Sequence, residues 1–519
     1  MVQSVTDDFE IVWKDPADAA ITWKRDPMHF PRPAPPLTLA ALARLTEDVF
    51  GSKCVGVNGF LYDINAAPPP PTPDIIERGV FTVWEEDYVP RIKEACRRIR
   101  GTNYEAMSAV ELADSLDSLI QDTVDTFRYT MTPVFAFMGP TFALVDFAER
   151  ELGADGSQLL ATLLQGAENS TAAAGEGLDE LAQTAASLPE VAKALRDGRR
   201  DNLEPVSGGK DFLAQLQRYL DEYGWRAESW GLPHIPTWAE DHSVPLMLIS
   251  RYLADENLSQ AAAIQRSRDQ RDEAMREVES RLSGDKLAEF RDRLAACAGH
   301  VSISEGRARW QLTIIGSFRV PALALGRKLV EAGVVGEPND AFFLSVEELK
   351  EAARNPSRSE KSLIAGRKAD LARWERQPAP IFLGPPPAEP PAEMHAILTK
   401  FFGVGVTPST DEKVINGNAA SRGVARGRAR IIHEISEGDK LQKGEILVCT
   451  TTAPPWTPLF AIAAGVVTDT GGILCHSAIC AREYGIPCVV GTQVGTSQIP
   501  DGATITVDGE KGTVRIESD

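Results

Sequence analysis

The sequence predicts a multidomain, mostly α-helical protein that is followed by a small α/β domain. Its 519 residues exceed what one hydrophobic core usually organises. Amphipathic segments with helical spacing fill most of the chain before residue 376, whereas short β-branched runs separated by glycine turns follow residue 410. A proline-rich stretch separates the two regions. We therefore expect domains at 1–376 and 410–519, joined by a linker at 377–409.

Charge and composition limit the partners. The formal net charge of −20 disfavours nucleic acid, because a phosphate backbone would be repelled. No apolar run approaches the ~20 residues of a membrane span, and the amino terminus lacks a signal-peptide pattern. Seven cysteines without framework spacing are typical of free thiols in a reducing compartment. We expect a cytoplasmic protein that binds neither nucleic acid nor membrane.

The region before residue 376 predicts an irregular arm followed by helices. The segments ITWKRDPMHFPRPAPPL and AAPPPPTPD are rich in proline, which favours extended or turning backbone. We therefore expect an irregular surface arm over the first ~75 residues. Segments such as AVELADSLDSLIQDTVDTFRYTM and KDFLAQLQRYLDEYG then repeat apolar residues every three or four positions, which is typical of packed helices. After Trp374, the segment RQPAPIFLGPPPAEPPAEM predicts a semi-rigid linker.

The carboxyl-terminal region predicts a strand, a glycine turn and a short helix around one histidine. The strand VVTD leads into the turn TGG. We expect a helix from about His476 to Tyr484, ended by the glycine and proline of YGIP. Downstream, ATITVDGEKGTVRIES predicts a β-hairpin closed at its DG turn. The region is therefore expected to be a compact α/β domain.

Three interpretations of His476 follow from the residues around it. Cys475, Cys480 and Cys488 suggest a metal site, but the paired spacing typical of zinc is missing, so we expect no metal. A buried core histidine is the second interpretation. The third rests on position, because the start of a helix offers free N–H groups and a positive end that bind a phosphoryl group and favour neutral imidazole. We favour a histidine that carries phosphate through a covalent bond.

The segment TDTGGILCHSAICAREYGIPCVVGT resembles the phosphohistidine swivelling domain of the phosphoenolpyruvate-utilising dikinases. The resemblance extends from GNAASRGVARGRARII through TTAPPWTPLF to the final hairpin, so that it covers residues 410–517. Arg422 departs from it, since the family commonly has proline there. The resemblance implies that His476 is phosphorylated. It also implies that five neighbours support the phosphate site: Thr470, Gly471, Gly472, Ser477 and Arg482.

The first ~375 residues are similar to the acceptor-binding helical domain of the rifampin phosphotransferase and phenylphosphate synthase type of enzyme. The segments LLQGAENSTAAAGEGLDELA, EYGWRAESWGLPHIPTWAED and SISEGRARWQLTIIGSFRVP carry this resemblance. No ATP-grasp pattern occurs in residues 1–409, so the resemblance implies a split, ATP-dependent dikinase. ATP and Mg²⁺ would be bound by a separate ATP-grasp subunit. His476 would then pass the phosphoryl group to a hydroxyl held by the helical domain.

We expect the acceptor to be a small phenolic compound. Aromatic side chains of the helical region suit a flat apolar ring. A phenol needs a base or cation to lose its proton, for which His29 is the first choice, with Arg32 as charge stabiliser. The candidate acceptor-binding residues are His29, Arg32, Trp23, Phe30, Glu305, Arg307 and Arg319. Ordinary core roles for the tryptophans and a structural role for His29 stay open.

Two other function classes also stay open. A non-catalytic phosphocarrier or regulatory protein would use phosphorylated His476 to control the binding of a partner. A hydratase or lyase that has acquired a swivelling domain is the third class. The large helical region with its arm favours the phosphotransferase subunit.

Overall fold

The structure, a computed structural model, describes residues 9–517 apart from positions 10, 28, 65, 68, 154–155, 165–169, 201, 227–231, 255–259, 378, 388–398, 401–402, 404 and 474. The chain divides into two compact units, each assembled from separated stretches. Unit 1 comprises 1–136, 229–236 and 310–389. Unit 2 comprises 137–228, 237–309 and 390–519.

Helices dominate the chain before residue 375, as the apolar spacing predicts. In chain order they are α1 (Pro36–Phe50), α2 (Pro73–Arg78), α3 (Val80–Val83), α4 (Val89–Gly101), α5 (Ala109–Met131), α6 (Val134–Leu152), α7 (Gly156–Leu163), α8 (Ser170–Ala186), α9 (Pro189–Arg196), α10 (Gly209–Tyr223), α11 (Ser243–Ala254), α12 (Gln260–Arg281), α13 (Gly284–Glu331), α14 (Val346–Arg354) and α15 (Lys361–Trp374). Among the described residues near the carboxyl terminus, three short α-helices follow: α16 (Thr457–Phe460), α17 (His476–Glu483) and α18 (Gly495–Gln498). None of the described helices is long and apolar enough to cross a membrane.

The strands that the structure describes form two sheets. They are β1 (Trp23–Arg25), β2 (Cys54–Val57), β3 (Phe60–Asp63), β4 (Phe382–Leu383), β5 (Val414–Asn416), β6 (Asn418–Ser421), β7 (Val424–Ile431), β8 (Ile446–Cys449), β9 (Gly465–Thr468), β10 (Cys488–Val490), β11 (Thr504–Asp508) and β12 (Thr513–Ile516). The four-stranded sheet of unit 1 has the order β2-β3-β1-β4 and is antiparallel. The eight-stranded sheet of unit 2 has the order β5-β12-β11-β7-β8-β9-β10-β6.

The amino-terminal part of unit 1 is more regular than the sequence predicts. The expectation of an irregular arm is wrong for α1, which has Pro36 in its first turn and ends at Phe50, with Gly51 as its carboxyl-terminal cap. Proline suits the first turn of a helix because the N–H it lacks has no partner inside the helix there. Three strands of the small sheet also come from this part of the chain.

The beginning of the predicted linker is part of this small sheet. β4 pairs with β1, with Leu383 opposite Trp23, and both side chains are buried in one hydrophobic cluster. Pairing between strands that are far apart in sequence leaves no periodic pattern in either segment. The linker was therefore predicted from its proline content alone, and the strand within it was missed. Residues 388–398 of the predicted linker lie outside the described residues.

Unit 2 combines a helical core with the large sheet. Apolar residues of α6, α7, α12 and α13 form one cluster, which includes Leu144, Leu160, Val278 and Phe290. β7, β8, β9 and β10 are parallel neighbours in the sheet, and α17 connects β9 to β10. The predicted hairpin is present as β11 and β12. The α/β domain expected at the carboxyl terminus is therefore confirmed, and we call its described part, from Asp411 to Glu517, the carrier domain.

Candidate functional site

The turn between β9 and α17 has a backbone that requires glycine. Gly471 has φ +99°, and a Cβ at this position would lie 2.6 Å from Sγ of Cys475. A side chain at Gly403 would in turn collide with the carbonyl oxygen of Gly471. Both the left-handed backbone and the close packing exclude larger residues. The glycine predicted in this turn is therefore required by the conformation of the backbone and by its packing.

Hydroxyl groups tie this turn to the loop that follows β8. The backbone N–H and Oγ1 of Thr470 donate to the carbonyl of Thr450 over 3.0 and 3.1 Å. Oγ of Ser477 lies 2.8 Å from Oγ1 of Thr452. Gly472 accepts the backbone hydrogen bond of Cys475, which closes the turn before the helix. The structure places these predicted phosphate-site neighbours as supports of the loop that presents His476.

Arg482 is buried and binds backbone carbonyls. Its Nη1 donates to the carbonyl of Ala420 over 2.6 Å, and its Nη2 donates to the carbonyl of Ile473 over 2.8 Å. Burial lowers the pKa of Arg482 to about 10, so the guanidinium stays charged at neutral pH. The side chain therefore joins α17, the glycine turn and β6.

His476 is the first residue of α17 and is partly buried. Its Nε2 lies 3.4 Å from both Oγ1 of Thr457 and Sγ of Cys480. The ring of Phe460 meets the imidazole edge-on at 6.4 Å between centroids. Burial lowers the pKa of His476 to about 4, because desolvation penalises the charged imidazolium. The imidazole is therefore neutral at pH 7 and keeps a lone pair on one ring nitrogen.

Two neighbours of His476 were not chosen by sequence reasoning. Cys480 was considered only as one of three cysteines that suggest a metal site, although its place four residues after His476 puts both on one face of a helix. Thr457 lies in TTAPPWTPLF, a segment that matched the family without any role being assigned to it. The spacing of Cys480 was a usable signal, whereas the approach of Thr457 depends on the packing of α16 on α17.

No group of three His, Cys, Asp or Glu side chains is placed to hold a metal ion within the described part of the chain. Cys475, Cys480 and Cys488 are free cysteines. Burial raises the pKa of the Cys475 and Cys488 thiols, which keeps them protonated.

Two aromatic residues predicted to bind the acceptor belong to hydrophobic clusters of unit 1. Trp23 is fully buried, and its Nε1 donates to the carbonyl of Asp18 over 2.8 Å. Phe30 packs on a cluster that includes Leu61 and Leu232. Trp23 thus contributes to the core and does not face an open surface.

His29 and Arg32 each face a carboxylate. Nδ1 of His29 lies 2.6 Å from Oδ2 of Asp26, and these side chains are 39% and 38% exposed. Nη2 of Arg32 donates to Oε1 of Glu375 over 2.7 Å. A carboxylate at one imidazole nitrogen orients the ring and supports base chemistry at the other.

A basic cluster in unit 1 contains two of the predicted residues. Arg319 is buried, and its Nη1 donates to the carbonyl of Pro233 over 2.7 Å and to Oδ1 of Asn339 over 3.1 Å. His234, which sequence reasoning missed, is buried nearby. Burial, reinforced by Arg32 and Arg319, lowers its pKa to about 3. Arg32 and Arg319 are distant in sequence, and the positive charge of each lowers the pKa of His234.

The remaining predicted acceptor residues lie on α13 in unit 2. Arg307 is partly buried. The side chain of Glu305 lies outside the described residues.

Two protein families match parts of the chain. Residues 441–512 match the mobile domain of the PEP-utilising (phosphoenolpyruvate-utilising) enzymes. Residues 129–302 match the fourth domain of rifampicin phosphotransferase. The carboxyl-terminal part of the chain thus resembles the PEP-utilising enzymes, and the middle part resembles rifampicin phosphotransferase. The glycine turn and His476 lie within the mobile-domain match.

The chain is similar to curated relatives that match different shares of its length. Chondramide synthase of Chondromyces crocatus is 30% identical over 98% of this chain and 14% of its own length. An uncharacterised phosphotransferase of Bacillus subtilis, YvkC, is 32% identical over 62% of this chain and 38% of its own. Rifampicin phosphotransferase of Streptomyces sviceus is 30% identical over 79% of this chain and 47% of its own. The chain thus spans less than half the length of each.

Proposed function

We propose that this chain is a phosphotransferase in which His476 accepts a phosphoryl group and passes it to a small hydroxyl acceptor. The observation that carries the proposal is the neutral, partly buried imidazole at the start of α17, presented by a rigid glycine turn. Relatives named phosphotransferases support the same reaction class. An imidazole held neutral is nucleophilic at the pH where the reaction runs.

Two displacements at phosphorus make up the reaction. First, the lone pair of His476 attacks a phosphoryl group, an N–P bond forms, and the P–O bond to the donor breaks. Second, the acceptor oxygen attacks the same phosphorus, the N–P bond breaks, and neutral imidazole leaves. The acceptor proton passes to a base. Covalent catalysis divides one difficult transfer into two easier ones.

The phosphoryl donor is proposed to be ATP with Mg²⁺, bound by a separate ATP-grasp subunit. This chain and that subunit would form a heteromeric complex. Phosphorylation of His476 by purified ATP-grasp protein tests this part separately.

The acceptor is proposed to be a small phenolic compound that binds unit 1. The pair of His29 and Asp26, 2.6 Å apart and partly exposed, suits removal of a phenolic proton. Arg32 and Arg319 supply positive charge for the phenolate or for the incoming phosphate. Trp23 is assigned to the core and not to this site.

The test separates loading from transfer. His476 is phosphorylated by the ATP-grasp protein with ATP labelled at the β-phosphate, and a panel of phenols is then added. The proposal expects label on His476 that moves to a phenol. His29→Gln is expected to load normally and to transfer at least tenfold more slowly. A phosphorylated protein that releases no label to any small acceptor would favour the phosphocarrier class instead.

A further inference from the structure

The loop that follows α10 carries a buried arginine that the proposed function does not use. Arg226 is 5% exposed, and its Nε donates to the carbonyl of Tyr223 over 2.9 Å. Within the described part of the chain this is its one hydrogen bond, and no Asp or Glu side chain forms an ion pair with it. A guanidinium has five N–H donors, so the contact with Tyr223 leaves most of the hydrogen-bonding capacity of Arg226 unused.

A second arginine brings like charge to the same place. The guanidinium carbons of Arg309 and Arg226 lie 4.9 and 5.7 Å from the centroid of the Tyr223 ring. Burial lowers the pKa of Arg226, and the positive charge of Arg309 acts in the same direction. Arg309 lies 3.4 Å from the carboxylate of Glu222, which neutralises part of this charge. Ring faces attract cations but do not neutralise them, so Arg226 keeps a buried positive charge that the described side chains do not balance.

Trp238 adds a hydrogen-bond donor to this place. It is 4% exposed, and the guanidinium carbon of Arg226 lies 5.4 Å from the centroid of its ring. Nε1 of Trp238 is buried and has no acceptor among the described residues. A buried indole N–H usually has a partner, because leaving it unpaired costs free energy. The guanidinium and the indole therefore present donors that lack an acceptor.

Backbone contacts hold Arg226 and Trp238 side by side. The N–H of Trp238 donates to the carbonyl of Arg226 over 3.4 Å, and the N–H of Ala239 donates to the carbonyl of Gly224 over 2.9 Å. A Cβ at Gly224 would lie 3.1 Å from the nitrogen of Ala239, so the absence of a side chain permits this close approach. The backbone thus positions the donors, and such preorganisation lowers the entropic cost of binding a ligand.

We propose that Arg226, Arg309 and Trp238 bind an oxyanion of the phosphate class, either inorganic phosphate or the phosphate group of a small monoester. A tetrahedral oxyanion supplies negative charge for the two guanidiniums and an acceptor for the indole N–H. None of the three residues belongs to the acceptor residues proposed in unit 1 or to the glycine turn. Binding at this site does not require phosphate on His476, so it goes beyond the proposed function.

Isothermal titration calorimetry of the full-length chain tests the site, with inorganic phosphate as the probe in a chloride buffer of constant ionic strength. The unsubstituted protein is expected to bind phosphate saturably. Arg226→Gln should raise the dissociation constant at least about tenfold, because it removes a charged hydrogen-bonding partner. Trp238→Phe keeps the ring and removes the N–H, so it should raise the constant several-fold while circular dichroism shows an unchanged fold.

Two controls place the anion. Arg218→Gln removes the same charge at an exposed position of α10 and should leave the dissociation constant unchanged. His476→Ala should bind phosphate as the unsubstituted protein does, whereas loss of binding would place the anion at the glycine turn and overturn the site. Equal constants for Arg226→Gln, Trp238→Phe and Arg218→Gln, or no saturable binding, would also overturn it.

A second titration, with phenyl phosphate, identifies the source of the oxyanion. Tighter binding of phenyl phosphate than of inorganic phosphate, weakened by Arg226→Gln, would assign the site to a monoester. Tighter binding of inorganic phosphate, weakened by the same change, would assign it to the free anion.

Discussion

The chemistry of His476 depends on its immediate surroundings. Phe460, Thr457 and Cys480 remove water from the imidazole, and this desolvation keeps it neutral. Sequence reasoning predicted neutrality from the helix end, whereas burial is the main cause of the low pKa. Burial of one side chain results from tertiary packing and is not encoded by local spacing.

The first prediction concerns pH. With a pKa of about 4, His476 should keep an unprotonated ring nitrogen down to about pH 5, so its rate of phosphorylation by phosphoramidate, relative to that of N-acetylhistidine, should rise as the pH falls below 6.5. The rate is normalised to N-acetylhistidine in the same solutions, which removes the titration of the donor. Free imidazole protonates near pH 6.5. If the rate for His476, divided by the rate for N-acetylhistidine, did not increase between pH 6.5 and 5, the result would contradict a buried, neutral His476.

The second prediction concerns acid stability. His234 has a pKa of about 3, below the 6.5 of an unfolded histidine, so the unfolded state binds more protons between these values. Its contribution to stability is complete above pH 6.5 and is lost as the pH falls towards 3. Each unit of pKa difference corresponds to about 1.4 kcal/mol.

Urea unfolding at several pH values checks that stability falls as the pH is lowered. His234→Gln should weaken the dependence of the unfolding free energy on pH between about 6.5 and 4, relative to the unsubstituted protein. His433→Gln, at an exposed position, is the control and should leave the dependence unchanged. If the unfolding free energy depended equally on pH in the unsubstituted protein and in both variants, His234 would not be a buried, neutral histidine.

At the scale of elements, local signals predicted the site well. The strand, the glycine turn and a helix that begins at His476 follow from VVTDTGG and the spacing after it, and the structure confirms all three. Arg482 was identified from family resemblance as a phosphate-site neighbour. Its contacts with two backbone carbonyls could not be predicted, because the partners come from β6 and the turn.

The third prediction concerns the turn. Gly471→Ala places a side chain at φ +99° and against Sγ of Cys475, so it should destabilise the carrier domain by about 2 kcal/mol or more. Gly444→Ala is the matched control, since Gly444 has φ +89° but nothing within 4 Å of an added Cβ. Chemical unfolding should show a larger loss for Gly471→Ala. Equal losses would mean that packing at the turn contributes nothing.

At the scale of the molecule, the chain interleaves its two units. The division at 376 and 410 stays a prediction from local composition, whereas each compact unit combines stretches that are far apart in sequence. The pairing of Trp23 with Leu383 and the contact of Arg200 with Asp439 are examples. Neither leaves a periodic pattern, so sequence reasoning predicted the fold class but missed these long-range contacts.

The central claim is that His476 carries the phosphoryl group. The most direct measurement is peptide mass spectrometry at alkaline pH, after incubation of the full-length chain with phosphoramidate and, separately, with ATP and the ATP-grasp protein. Phosphohistidine is stable in alkali and labile in acid. The account predicts an acid-labile phosphoryl group on the peptide that contains His476, and none there in His476→Ala. Phosphate on another residue, or label retained by His476→Ala, would contradict it.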